Sequence, residues 1–119
     1  MVLATIRMII PPKKRGEVLN ILRSTAEQCK VHSGCLGCHI YDDVQEDNVL
    51  MFEEMWRNEE ELAQHLRSEA YQDVLLVMEM ALKHPEVWFN TVTTSTGMET
   101  IEKARSSREQ SGHAGGKNE

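Results

Sequence analysis

Five thiol and imidazole side chains lie close together in this chain and are the first candidates for chemistry. Cys29, His32, Cys35 and Cys38 follow one another at intervals of three, and His39 comes directly afterwards. Thiolates and imidazoles are the ligands that zinc prefers. The last five residues of this run, C-L-G-C-H, also spell the attachment motif of c-type haem. The run therefore raises two questions, one about a metal ion and one about haem.

The expected local structure argues against both. Haem attachment needs export and a helical turn, whereas residues 35–42 are expected to form a strand in which Cys35 and Cys38 point to opposite faces. For zinc, Cys29 at a helix end and Cys35 at a strand start are close enough for a partial site only. We therefore predict that Cys29 belongs to the core, that Cys38 packs, and that no metal is bound.

A second group of candidates combines a carboxylate, an indole and an imidazole. Glu54 stands between Phe52 and Trp56 on one face of a strand, so its carboxylate must be paired or hydrogen-bonded, as a proton acceptor or as a structural anchor. Trp56 either fills the core or forms a wall of a small-molecule cavity. The imidazole of His65 titrates near neutrality and can take a proton from a phenolic substrate or hold a loop. Glu54, Trp56 and His65 are the predicted catalytic residues.

Four further side chains are predicted to contact a ring substrate, namely Tyr41, Phe52, Tyr71 and Asn90. The two tyrosines could orient such a substrate through their hydroxyl groups. The chain has no G-x-G-x-x-G after a strand and no phosphate loop. No flavin, nucleotide or other cofactor is therefore expected.

The first half of the chain predicts a strand, a helix and a hairpin. Residues 2–10 are rich in β-branched side chains and stop at two prolines. Apolar residues then recur at helical spacing from Lys13, and Gly34 is expected to end this helix in the left-handed conformation. Residues 35–42 and 49–56 read as antiparallel strands joined by a polar loop.

The second half predicts two helical segments and a last strand. Asn58, followed three residues later by Glu61, is typical of a helix N-terminus, and Ser68 is expected to cap a second helix that runs to His84. Residues 87–94 are rich in β-branched and aromatic side chains, as in a strand. This order is that of an α+β, ferredoxin-like split βαβ fold with a four-stranded antiparallel sheet.

The strand at residues 49–56 predicts that the chain self-associates. Leu50, Phe52 and Trp56 share one face, while Met51 and Met55 share the other, so both faces are largely apolar. The helices of one copy can cover only one of them, and large exposed apolar areas are rare on monomers. We therefore expect two copies to pair their sheets as a homodimer.

Composition limits the class of protein and its partners. The 119 residues, 40% of them hydrophobic, suit one domain with a single core. A formal net charge of -6 with scattered acidic residues argues against a nucleic-acid or anionic-membrane partner. No signal peptide or long apolar run is recognisable, so a cytoplasmic location with three reduced cysteines is expected.

Four short motifs together resemble one family of proteins. Gly34-Cys35, then Tyr41, then the E-x-W of residues 54–56 and finally His65-Leu66 occur in the order typical of antibiotic biosynthesis monooxygenase domains. The resemblance implies a dimeric α/β barrel formed by residues 1–96. Residues 97–119 lose this apolar content and are expected to be a polar, mobile tail.

The resemblance also implies an activity. It points to a cofactor-independent monooxygenase that acts on a quinol- or anthrone-like small aromatic molecule, with His65 as the base and Trp56 and Tyr71 shaping the cavity. Three alternatives remain open: a non-catalytic dimer that binds a small hydrophobic molecule, a haem-degrading relative, and a relative that processes signalling molecules. The haem-degrading group uses an Asn in its first strand, and residues 2–10 contain none.

Overall fold

The computed structural model describes residues 1–113 of the chain, and the side chains of residues 1–108. Its four strands and four α-helices occur in this order: β1 (Val2–Ile9), α1 (Arg15–Lys30), β2 (Cys35–Asp42), β3 (Val49–Trp56), α2 (Glu59–Arg67), α3 (Tyr71–Met80), β4 (Glu86–Thr91) and α4 (Met98–His113).

The four strands form one antiparallel sheet in the order β2-β3-β1-β4. β1 and β3 are central, so the chain crosses over between β1 and β2 through α1, and between β3 and β4 through α2 and α3. This is the split βαβ arrangement. The prediction of a ferredoxin-like α+β fold is confirmed.

The alternation of β3 separates a covered face from an open face. Leu50, Phe52, Glu54 and Trp56 are each at most 3% exposed beneath the helices. Their neighbours on the other face, Met51, Glu53 and Met55, are only half-buried. We call these two sides the helix face and the open face of the sheet.

The hydrophobic core lies between the helix face and α1, α2 and α3. From β1, the side chains of Val2, Ala4, Ile6 and Met8 are buried against it. From the helices, Val18 and Leu22 of α1 and Val74 and Val77 of α3 are fully buried. The edge strand β4 is exposed on both sides, since Val87, Trp88 and Phe89 are each at least 38% exposed.

Several boundaries differ from the sequence prediction for local reasons. A 3-10 turn at Pro12–Lys14 precedes α1, because proline fits the first turn of a helix but not its interior. Ser68 does not begin α3: its hydroxyl donates to the His65 carbonyl at 2.7 Å and so caps the end of α2. β4 stops at Thr91, three residues before the predicted end.

Gly34 has a different role from the predicted one. α1 ends at Lys30, and Val31 follows in the right-handed conformation. Gly34 does not adopt a left-handed backbone, but a Cβ there would lie 2.5 Å from the carboxylate of Glu61. A larger residue here would require the Glu61 side chain to move, because α2 approaches the start of β2 closely. Asn58 caps that helix by accepting the Glu61 N–H at 2.9 Å.

The chain continues past the sheet as α4. Met98 and Ile101 of this helix are 63% and 52% exposed. The mobility predicted for residues 97–119 stays a prediction, and residues 114–119 lie outside the described part. None of the helices within residues 1–113 has the length and hydrophobicity that crossing a membrane requires.

Candidate active site

Three elements bring a carboxylate, an imidazole and a thiol together beneath the helices. Glu54 lies on the helix face of β3, His65 in the last turn of α2, and Cys29 in the last turn of α1. All three are buried, at 3%, 8% and 4% exposure respectively. We call these residues the buried triad.

Both carboxylate oxygens of Glu54 have partners within the protein. Oε2 lies 2.9 Å from Nε2 of His65 and accepts a weak hydrogen bond from the Cys29 thiol at 3.5 Å. Oε1 accepts a hydrogen bond from the indole N–H of Trp56 at 3.4 Å. A carboxylate can remain in this core because its oxygens are satisfied in this way.

Aromatic rings fix the orientation of the imidazole. The ring of Trp56 stacks on His65 with centroids 4.5 Å apart, and Tyr71 meets the same imidazole edge-on at 5.2 Å. The ring of His32 also meets Trp56 edge-on, with centroids 5.1 Å apart. Packing on two sides leaves His65 few alternative rotamers, so its hydrogen bond to Glu54 is preorganised.

The pKa of His65 reflects two opposing influences. Burial favours the neutral imidazole and lowers the pKa, but contacts with Cys29 and with the Glu54 carboxylate outweigh burial and raise the pKa to about 9. At neutral pH the pair therefore consists of an imidazolium and a carboxylate. The pKa of His65 lies close to that of an ordinary phenol.

The other two titratable groups at this site stay protonated. Hydrogen bonding with Cys38 and burial raise the pKa of Cys29 well above its ordinary value. Burial and the nearby charge of Glu54 raise the pKa of Tyr71 to about 12. Neither group is a nucleophile at neutral pH, since that role requires the ionised form.

A cavity of about 190 Å³ adjoins the buried triad. Cys29, His65 and Trp56 form part of its wall, together with the amides of Gln28 on α1 and Gln64 on α2. An engineered cavity of about 150 Å³ already binds benzene, so this space suits a molecule with one or two rings.

Larger clefts lie elsewhere but lack a buried pair of titratable groups. One of about 400 Å³ runs between α1 and β2 and is lined by Arg15, Arg23 and Lys30. Arg15 there forms an ion pair with Asp42 at 3.0 Å. We favour the smaller cavity because it alone of the two adjoins a buried, hydrogen-bonded pair of titratable groups.

The structure gathers some of the predicted site residues and separates others. Glu54, Trp56 and His65 contact one another, and Tyr71 contacts His65. Phe52 is 1% exposed in the core below them and is not part of the cavity wall. Their roles in substrate binding and catalysis stay predictions.

Tyr41 and Asn90 lie far from this cluster within the subunit. Tyr41 is 43% exposed on the open face, where its hydroxyl donates to Glu53 at 3.2 Å. Asn90 is exposed on β4 and pairs in register with Leu3, which also belongs to the open face. In this subunit neither side chain reaches the cavity beside His65.

The cysteines are closer together than predicted. A bulge between Cys35 and Gly37 shifts the register of β2, so that Cys35 pairs with Trp56 and Cys38 pairs with Glu54. An extra residue in a strand changes the side to which the following side chains point. The prediction that Cys35 and Cys38 face opposite sides was therefore wrong: both share the helix face with Cys29.

Sequence reasoning missed the polar residues of α1 and α2 that face the cavity. Thr25, Gln28 and Cys29 line it from α1, where their spacing of three and four residues is that of a single helix face, and His32 lines it from the turn that follows the helix. That spacing was available in the sequence as a signal. Gln64 had no comparable signal. Apart from its neighbour His65, it is the one residue of α2 in the cavity wall, so there was no helical spacing to recognise.

Comparison with known proteins identifies related chains. The family model described as antibiotic biosynthesis monooxygenase matches residues 1–75. An uncharacterised protein of Synechocystis is 28% identical over 64 residues, which are 54% of this chain and 44% of that protein. This chain thus spans less than half of that relative.

Solved structures share the fold. A conserved protein from Methanosarcina mazei superposes with a TM-score of 0.72 at 24% identity, over 77% of this chain and 92% of that one. A crystal structure of an antibiotic biosynthesis monooxygenase gives a TM-score of 0.70 at 20% identity, over 79% of this chain and 100% of that one. At these identities the likeness extends to the fold alone.

Proposed function

We propose that this chain, which belongs to the antibiotic biosynthesis monooxygenase family, is a cofactor-independent monooxygenase that acts on a quinol- or anthrone-like aromatic molecule. One observation supports this activity above all others. The imidazole of His65 lines a cavity of the size of a small ring system and is hydrogen-bonded to the buried carboxylate of Glu54 behind it.

The first step is removal of a proton from the substrate. The base is the neutral form of His65, which becomes more populated as the pH rises toward its pKa of about 9. In that form Nε2 is held by Glu54, so Nδ1 is the ring nitrogen left to receive a proton from the substrate. The Glu54 carboxylate stabilises the imidazolium that results, as the carboxylate of a catalytic triad does. Transfer from a phenolic hydroxyl to this imidazole therefore requires little free energy.

The substrate anion then reacts with molecular oxygen. For an anthrone, the carbanion adds O₂ to give a hydroperoxide, which loses water and leaves a new carbonyl group. One oxygen atom enters the product and the other leaves as water, and the substrate itself supplies both electron pairs. The imidazolium, still beside the reacting molecule, stabilises the negative charge on the peroxide.

The surroundings of the triad assist by excluding water. Trp56 is 0% exposed and Tyr71 is 8% exposed, so two aromatic rings shield the imidazole. A low-polarity cavity strengthens the electrostatic interactions of the imidazolium and protects the anion from protonation. Gln28 and Gln64 would then hydrogen-bond the second oxygen of a quinol.

The proposal includes a homodimer formed by the open faces of two sheets. The apolar side chains on this face are incompletely covered, namely Leu3, Ile9, Met51, Met55 and Trp88. Trp88 is 44% exposed, which is unusual for a large ring outside an interface. A second copy would bury these side chains, with Tyr41 and Asn90 in the interface.

Oxygen uptake with menadiol and with anthrone tests the activity. We expect enzyme-dependent consumption of O₂, one atom of ¹⁸O from labelled oxygen in the product, and no accumulation of hydrogen peroxide. Peroxide in amounts equal to the oxygen consumed would indicate an oxidase and contradict the proposal. Thermal stabilisation by these ligands without oxygen uptake would instead favour the non-catalytic binding module.

A further inference from the structure

We propose that Cys29, Glu54 and His65 form a binding site for a single zinc ion, and that zinc bound there inhibits the enzyme. The site uses a sulfur, an oxygen and a nitrogen donor from three different elements of the fold. The binding site itself does not depend on the proposed oxygenase activity, whereas its inhibitory role rests on that proposed function.

The donor atoms are already close to the separations that zinc requires. Sγ of Cys29, a carboxylate oxygen of Glu54 and a ring nitrogen of His65 all lie within 4.8 Å of one another. Zinc bonds of about 2.0–2.3 Å place tetrahedral donors roughly 3.3–3.6 Å apart. The sulfur–oxygen separation of 3.5 Å meets this value.

One separation must increase. Nε2 of His65 and Oε2 of Glu54 lie 2.9 Å apart because a shared proton now joins them. Replacing that proton by an ion widens this separation by roughly half an ångström, since each donor then bonds the metal at about 2.0–2.2 Å.

The donor set selects among cations. Calcium and magnesium prefer sites made of oxygen ligands, whereas imidazole and thiolate favour zinc and related transition metals. All three donors are buried, so they exclude most competing water. A thiolate, an imidazole and a carboxylate therefore point to zinc and not to an alkaline-earth ion.

The fourth coordination position falls beside the cavity. Cys29 and His65 both belong to the wall of the 190 Å³ cavity, so a water molecule or a small ligand can reach an ion held between them. Three protein ligands and one exchangeable position are typical of catalytic and regulatory zinc sites, whereas structural sites are closed.

The loaded site would carry no net charge. Zn²⁺, a neutral imidazole, a carboxylate and a thiolate sum to zero, because metal ligands must be deprotonated. Burial of the ion is therefore not opposed by an uncompensated charge.

Zinc at this position would stop the proposed reaction. The ion holds the Nε2 lone pair of His65, so the imidazole can no longer accept the substrate proton and become an imidazolium. It also separates Glu54 from the ring that the carboxylate activates. Substrate turnover and zinc therefore compete for the same imidazole.

Cobalt(II) titration of the reduced, full-length protein under argon tests the site directly. Co²⁺ in a tetrahedral site with a thiolate ligand gives a sulfur-to-metal absorption in the near ultraviolet and strong visible bands. We expect both, at one equivalent per chain, and their loss on adding zinc. Weak octahedral bands only, or a stoichiometry above one, would overturn the proposal.

Matched cysteine variants locate the ion. Cys29→Ser should weaken zinc binding by more than the roughly 10–100-fold that the loss of an outer-shell partner causes. Cys35→Ser, which removes a half-buried thiol of β2, should leave the affinity and the cobalt spectrum unchanged. Retention of binding in Cys29→Ser, or equal loss in both variants, would overturn the assignment.

Glu54→Gln provides a second variant if Cys29→Ser folds poorly. Its amide keeps the shape of the side chain but is a weak metal ligand, so the cobalt bands should be lost while the far-ultraviolet circular dichroism stays native. Zinc should raise the melting temperature of the wild type and not that of Glu54→Gln. An equal rise in both proteins would contradict the site.

The metal readouts are independent of the oxygenase assay. Should no quinol or anthrone support oxygen uptake, the proposed function fails while the cobalt spectrum still decides the zinc site. Where uptake is present, stoichiometric zinc should abolish it in the wild type and to the same extent in Cys35→Ser. Full activity of zinc-loaded protein would overturn the inhibitory role.

Discussion

Two adjacent glutamates of β3 lie on opposite faces of the sheet and have opposite environments. Glu54 points under the helices, is 3% exposed, and has both oxygens bound by His65, Trp56 and Cys29. Glu53 points to the open face, is half-buried, and accepts one hydrogen bond from the exposed Tyr41. The same residue type is thus part of a fixed cluster on one side and of a solvated pair on the other.

This difference shows where chemistry can be built in a small sheet protein. A buried pair must be held in one geometry, because an unpaired charge away from water destabilises the fold. An exposed pair can separate at little cost, since water replaces each partner. Preorganisation for proton transfer is therefore expected on the helix face, and association with another molecule on the open face.

The largest expected effect concerns the imidazole. His65→Gln keeps a hydrogen-bonding group next to Glu54 but cannot accept a proton, so oxygen uptake with menadiol should fall by about 10²–10⁴-fold. His84→Gln, an exposed histidine remote from both faces, should retain the wild-type rate. Full activity of His65→Gln would show that the reaction does not take place on the helix face.

The second effect concerns stability. His65→Leu leaves the Glu54 carboxylate buried without its main partner, and we expect the free energy of unfolding to fall by about 3–5 kcal/mol. Tyr41→Phe removes the exposed partner of Glu53 and should change it by no more than about 1 kcal/mol. Urea denaturation at one protein concentration measures both, since the proposed dimerisation would make stability concentration-dependent.

A double variant checks the origin of that loss. Glu54→Leu should suppress much of the destabilisation in His65→Leu, because it removes the charge that the single variant leaves unpaired. Simple additivity of the two changes would show that His65 and Glu54 do not stabilise each other, and would reduce the contrast between the faces.

The third effect concerns self-association through the open face. Truncating a large aromatic ring at an interface costs about 2 kcal/mol or more, so Trp88→Ala should weaken a dimer at least about thirtyfold. Leu75→Ala is the control, because Leu75 is similarly exposed, at 46%, but belongs to α3. Light scattering at micromolar concentration measures both, and a monomeric wild type would contradict the interface.

The smallest effect concerns the side chains that the sequence assigned to substrate binding and the structure places elsewhere. Tyr41→Phe and Asn90→Ala should change kcat/KM for menadiol by no more than roughly twofold, as surface substitutions away from a site usually do. A larger loss in either variant, with the dimer intact by light scattering, would show that the partner's open face contributes to the cavity.

The pattern of the sequence was sufficient for most of the fold. Period-two alternation in residues 49–56 assigned Glu54 and Trp56 to one face and Glu53 to the other, and the burial of these residues confirms it. β2 and β3 begin and end at the predicted residues. Strand pattern was reliable here because a one-residue error would reverse every side chain.

Contacts between distant elements could not be predicted in this way. The bulge beside Leu36 has Gly37 as its only sequence signal, since a glycine inside a strand is compatible with a bulge but does not require one. The bulge nevertheless decides that Cys35 faces Cys29 and not the open face. Likewise, the meeting of Cys29 with Glu54 depends on how α1 crosses β3. Helix periodicity identified Cys29 as buried but was silent about which side chain it would contact.

The pairing of β1 with β3 has a consequence for how this chain can change over evolutionary time. Ala4 faces Glu54, so the carboxylate stands under the helices only while the strands keep this alignment. Gain or loss of a single residue within β3 would exchange odd for even positions and turn Glu53 inward instead. The hairpin tip at residues 43–48 can vary in length, but an insertion into β3 keeps Glu54 under the helices only if it adds residues in pairs or is absorbed by a bulge, as in β2.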